Sequence, residues 1–159
     1  MTGGLANTAS GQYASVSGGG GNQASGPAAA VSGGHSGSAS APWSSVSGGF
    51  SNLATGRESS VAGGFTNTAS GGDSSVSGGA YNTASGNQAV VSGGIINSAI
   101  GQYGVVSGGY QNVARGTMSA VSGGSFNAAN GEASAVSGGY SRSTPRLRNW
   151  TAGGLFQEF

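Results

Sequence analysis

Valine stands at 16, 31, 46, 61, 76, 91, 106, 121 and 136, nine times and always 15 residues apart. Each is followed by Ser-Gly-Gly, except Val61, which is followed by Ala-Gly-Gly. Between successive valines runs a second motif, Asn-x-Ala-x-Gly. Its Ala recurs without exception from Ala9 to Ala129, its Asn fails at Gly37, and its Gly fails at Ala41. The unit is therefore V-S-G-G-x-x-N-x-A-x-G-x-x-x-x, and its places are numbered here as positions 1 to 15 from the Val. Met1 occupies the Val position of a first unit, and Gly153-Gly154 hold the phase at the far end. With 35 glycines in 159 residues and abundant Ser, composition alone suggests a flexible linker. A tether has no physical reason to hold a register over this length, so the spacing overrules the composition.

A unit of 15 residues is too short for a helical repeat, and its Gly-Gly, Asn and Ser would break a helix. Collagen needs Gly at every third place, which is absent. The unit suits one coil of an all-β, parallel β-solenoid: two short strands and two tight corners, stacked on the next coil at the spacing of neighbouring strands. About ten coils are expected. The repeat domain is placed at 1–141, followed by an Arg-rich break and a partial coil or cap at 142–159.

Alternation along the strands assigns the faces. The Val column (Val46, Val61, Val76) and the Ala column (Ala54, Ala69) are expected inside, with the variable positions outside. The Gly-Gly pair is expected to supply the positive φ of a corner. Asn52, Asn67 and Asn82 are expected either to bond amide to amide up the rod or to occupy a left-handed turn. One Val and one or two Ala per coil make a thin core, which suggests that a further face is buried against a partner.

The two positions after Gly-Gly supply a candidate for that face: Phe50, Phe65, Tyr81, Ile95, Ile96, Tyr110, Phe126 and Tyr140, with Leu5 before them and Leu155-Phe156 after. Recurring once per coil, they form an outward apolar stripe, which Val90, Ile100 and Val105 are expected to widen. It suits self-association between identical chains, or alternatively a ligand-binding groove.

The segments NTASG (7–11, 67–71, 82–86), NQASG (22–26), NLATG (52–56) and NSAIG (97–101) resemble the YadA-like head repeats of trimeric autotransporter adhesins, over roughly residues 1–141. Similar repeats occur in phage tail fibres. The resemblance implies a left-handed parallel β-roll, a side-by-side homotrimer, and adhesion to a host-surface protein or glycan. The present unit is slightly longer than that family's coil, V-S-G-G replaces a more apolar strand end, and no neck, stalk or anchor pattern is found.

Chemistry-bearing residues are sparse. The chain has no Cys and no Lys, 6% charged residues and a net charge of +1, which leaves no basic patch for nucleic acid. No apolar run approaches a membrane span, so direct membrane insertion is not expected. His35 stands alone in the stripe column. Glu58 and Asp73 fall one coil apart with Arg57 beside them, an arrangement open to a cation, to an acid–base pair or to solvated surface charge. No catalytic residue, metal site or cofactor is assigned, and no enzyme activity is expected. The Arg-rich segment SRSTPRLRNW (141–150) suits an end cap or a docking segment.

The expected function is a structural and adhesive rod outside the cell or on its surface, although Met1-Thr2-Gly3-Gly4 shows no signal peptide. An end-to-end fibre or tail-fibre module is the alternative. Ice binding is a weaker one, because Thr recurs in one outer column at 8, 68 and 83 alone.

Overall fold

A computed structural model describes residues 3–152. Twenty two-residue strands, β1 (Thr8–Ala9) through β20 (Trp150–Thr151), alternate between two ten-stranded sheets. Every pairing is parallel and offset by one unit, so that Ala54 lies beside Ala69 and Val46 beside Val61. No helix occurs among the described residues. The molecule is a parallel β-solenoid of ten coils, ~48 Å long at a strand spacing of ~4.8 Å.

The interior is closed within the single chain. Val16 to Val136 are at most 1% exposed, and Ala24 to Ala129 in the Ala column are fully buried. Position 14 adds a third inward column of small residues, among them Ala29, Ser44, Ser59, Ser74 and Ala89. Residues this small allow the two sheets to approach closely, and backbone hydrogen bonds between coils carry much of the cohesion that apolar bulk would otherwise supply.

The asparagines follow neither expected route. Asn67 donates through Nδ2 to the carbonyls of Gly63 in its own coil and Gly79 in the next, both at 2.9 Å. Its Oδ1 accepts the backbone N–H of Asn82, also at 2.9 Å. Each amide thus bonds backbone groups instead of the neighbouring amide, and no asparagine at this position has a positive φ. This geometry satisfies the Gly63 carbonyl and the Asn82 N–H, which have no backbone partner, and adds a second bond to the Gly79 carbonyl, which also accepts the Phe65 N–H at 2.9 Å. Gly37 interrupts the column: its N–H still donates to Asn22 Oδ1 at 2.8 Å, but it has no side-chain amide to bond the flanking glycine carbonyls or to offer Oδ1 to Asn52.

The glycines divide into three kinds. At position 4, from Gly4 to Gly139, φ lies between 80 and 102°, so a side chain would be strained. At position 11 φ is ordinary, but a Cβ on Gly56 would overlap the carbonyl oxygen of Gly71 in the next coil. At position 3 neither reason holds: a Cβ on Gly48, Gly63 or Gly78 would meet nothing within 4 Å, and φ is not positive. The Gly-Gly pair does supply the positive φ of the corner, through its second member in every described coil; Gly138, at φ 147°, is the one position-3 glycine that shares it.

Residues 142–152 continue the coil path. Ser143–Thr144 pairs with Ala128–Ala129, and Trp150–Thr151 pairs with Ala135–Val136. Arg142 replaces the ladder Asn there, and its N–H still donates to Asn127 Oδ1 at 2.9 Å.

These assignments set opposite expectations for two substitutions. Asn67→Ala removes three bonds and leaves the Gly63 carbonyl and the buried Asn82 N–H without their protein partner, at a cost of about 2–4 kcal/mol. Gly37→Asn restores the missing ladder step at a site with ordinary φ and stabilises by about 1 kcal/mol. Thermal unfolding of the two variants beside the native chain, with midpoints moving in opposite directions, checks both.

Candidate functional site

Two columns of the coil take a left-handed backbone conformation, at positions 6 and 13, on opposite corners. Nineteen non-glycine residues occupy it, including Trp43, Tyr81, Ile96, Tyr103 and Phe126. The conformation reverses one N–H per corner. Thr66 N–H donates back to Phe50 O (2.8 Å), and Asp73 N–H back to Arg57 O (2.8 Å), whereas neighbouring groups bond the following coil. Left-handed geometry costs a side-chain-bearing residue about 1–2 kcal/mol. Glycine would avoid that cost, yet it stands in these two columns at Gly21 alone. The corners therefore carry side chains whose presence the backbone disfavours, and this makes them the candidate surfaces.

At the first corner, positions 5 and 6 build a stripe with one large side chain or more from each coil between His35 and Tyr140. His35, Phe50 and Phe65 all occupy position 5 and stack face to face, with centroids 5.2 and 5.3 Å apart and planes within 7°. Where the ring shifts to position 6, contacts become edge-on: Phe65 with Tyr81 (5.3 Å, 71°) and Tyr110 with Phe126 (5.4 Å, 80°). Phe126 with Tyr140 is edge-on as well. Ile95 and Ile96 fill the coil between the two aromatic runs. Despite this mutual packing, Phe50, Phe65, Tyr81, Ile95, Ile96, Tyr110, Phe126 and Tyr140 remain 39–71% exposed. Gly20 and Gly21 separate Leu5 from the stripe, and Leu155 and Phe156 lie outside the described residues.

Val90, Ile100 and Val105 do not widen this stripe. Val90 and Val105 sit on the outer side of one sheet, paired with each other, while Ile100 leaves the other sheet toward the opposite corner. Thr68 and Thr83 are neighbours in register, but Thr8 pairs with Gln23, and Leu53 precedes Thr68 in the same column.

The second corner bears a ridge that the sequence reading passed over: Tyr13, Trp43, Tyr103 and Met118, all exposed. Their spacing in multiples of 15 was the available signal, masked by the polar residues interleaved with them. Arg57 stands over the Trp43 ring at 5.1 Å and pairs with Glu58 at 3.0 Å. Asp73 accepts from Gln88 Nε2 at 3.5 Å, a long contact. Gly72, where other coils carry a side chain, opens a shallow groove of about 360 Å³ bounded by Arg57, Glu58, Asp73 and Asn87. The two carboxylates thus take separate partners, and no group of three or more metal-binding side chains occurs among the described residues. His35 bonds Ser36 Oγ through Nδ1 at 2.9 Å and stacks on Phe50.

No family model and no curated protein sequence matches the chain. Among the described residues, no helix is long and apolar enough to cross a membrane.

Because Arg57 is exposed and its contacts are screened by water, Arg57→Ala is expected to shift stability by less than about 1 kcal/mol. The same change uncovers Trp43, so its fluorescence should alter while the thermal midpoint stays nearly fixed. A large fall in the midpoint contradicts the assignment of this corner as a surface.

Proposed function

We propose that this chain is a non-enzymatic structural and adhesive rod, acting outside the cell or on its surface, and that it assembles side by side as a homotrimer of left-handed β-rolls. The observation that carries this reading is the apolar stripe from Phe50 to Tyr140, exposed in every coil it crosses. A monomeric soluble protein rarely leaves so long a contiguous apolar surface open to water. Coverage by further copies supplies the missing burial. The resemblance of the Asn-x-Ala-x-Gly columns to trimeric adhesin heads supports the same arrangement. The second corner, with exposed Trp43, Tyr103 and the polar groove beside Gly72, then faces outward and offers aromatic and hydrogen-bonding groups to a host-surface protein or glycan.

Solution mass by light scattering tests the assembly. The native chain is expected at three times its 15.0 kDa mass, and a Phe50→Ser, Phe65→Ser, Phe126→Ser variant is expected as a folded single chain. A native chain that remains a folded monomer rejects the trimer. Adhesion is tested by attachment of rod-coated beads to matrix-coated and glycan-coated surfaces, where attachment no stronger than that of uncoated beads rejects the adhesive role.

A further inference from the structure

The third position of the unit holds glycine in every described coil, from Gly3 to Gly138, although the outward positions 5 and 6 just beyond it vary widely. Within the chain this glycine is unexplained. Gly4 and its equivalents need positive φ, and Gly56 and its equivalents lie against the next coil, but a Cβ at position 3 enters open space. Position 2 beside it is also exposed and is Ser in each unit from Ser17 to Ser137 except at Ala62. Position 15 on the same sheet face carries Ser, Ala or Val until Trp150. The result is a flat strip of small residues running the length of the rod, with the aromatic stripe standing along its edge.

Charge is arranged to match. In the described coils up to Ser141, every charged residue falls at positions 10 to 13, on the far corner. The side comprising the strip and the stripe carries none, so two such sides meet without burying an unpaired charge. From position 15 to position 4 the chain covers ~16 Å, and over ~48 Å of rod this gives on the order of 750 Å² per copy. A standard stable interface uses about 800 Å² per partner.

We infer that the glycine strip of one copy receives the aromatic stripe of the next, and that position 3 is glycine so that the neighbour's rings can lie directly on the backbone. A second copy is the occupant because the strip omits a side chain at the same interval in every coil. A partner that exploits each omission must carry protrusions at that interval, as the stripe of another copy does. Strip and stripe are different surfaces of one chain, so the contact is heterologous and forms a closed ring if the rotation between copies closes. The inference rests on the side-by-side assembly proposed above and specifies its contact.

The test is the variant Gly48→Ala, Gly63→Ala, Gly78→Ala, compared by light scattering with the native chain and with a Gly56→Ala control. The expected result is a single folded chain in place of the trimer, with a native circular dichroism spectrum, whereas the control loses the fold. The three changes are also placed in the Phe50→Ser, Phe65→Ser, Phe126→Ser chain, where they should leave the melting temperature unchanged. A triple-glycine variant that stays trimeric beside a trimeric native chain overturns this contact and leaves the assembly standing. A native chain that is monomeric overturns both. A lowered melting temperature in the serine background shows that position 3 serves the chain's own backbone, and overturns the inference equally.

Discussion

The amide of the position-7 asparagine is the interaction on which the rest of this rod depends. A coil of 15 residues can stack on the next only if it returns to the same place, and its corners contain peptide groups that no strand pairs. Asn67 holds two of these groups, the Gly63 carbonyl and the Asn82 N–H, and shares the Gly79 carbonyl with the Phe65 N–H, so that one amide ties two coils together. By fixing the Gly-Gly corner to the coil that follows, the amide sets the register for the Val and Ala columns on either side. Those columns need little bulk once the corner is held, which is how an interior of Val, Ala and Ser becomes fully closed in one chain.

That dependence explains which features were readable in the sequence. Val and Ala at fixed intervals announce a parallel stack, because an error of one residue would turn every inward side chain outward. The two-strand coil and the inward columns follow from this requirement. The corner geometry was less accessible. Left-handed residues are usually found by looking for Gly or Asn, whereas here they are Trp43, Ile96, Phe126 and others of no such preference. The asparagines had two plausible local roles, and choosing between these and the observed bonding requires knowing where the Gly63 and Gly79 carbonyls point. The three glycine columns look alike in sequence and differ in backbone φ and in what a Cβ would meet.

The candidate surfaces were half visible for the same reason. Phe50, Phe65 and their successors form a run of similar residues and declare themselves by period. The opposite ridge mixes Tyr13, Trp43 and Met118 with Glu58, Asp73 and Gln88, so no class of residue repeats and the column reads as variable. The mixture has a physical consequence. Uniform apolar stripes suit contact with another uniform repeat, while a column alternating aromatic, acidic and amide groups suits heterogeneous partners. The segregation of charge to that second corner follows the same division.

The coil of residues 31–45 shows how much departure this design tolerates. Gly37 leaves the Asn52 N–H without the amide acceptor that Asn67 receives from Asn52 at 2.9 Å. Ala41 stands where glycine elsewhere donates to the next coil, as Gly56 N–H does to Ala69 O at 3.2 Å, and makes no such bond. Three inter-coil bonds are therefore absent at a single junction, the third being the Nδ2 donation to the Gly49 carbonyl that an asparagine in place of Gly37 would make. The same junction carries the His35–Phe50 ring stack at 5.2 Å on one corner and the Arg57–Trp43 contact at 5.1 Å on the other. In a quasi-one-dimensional stack each junction contributes its own stability, so a loss at one interface must be met there or not at all. The ring contacts lie where that argument requires compensation. They are exposed, however, and each contributes less than a buried hydrogen-bonded pair. This junction consequently holds fewer inter-coil hydrogen bonds than the Asn-bearing junctions that follow it, and the corner side chains that serve as surface elsewhere serve partly as structure here.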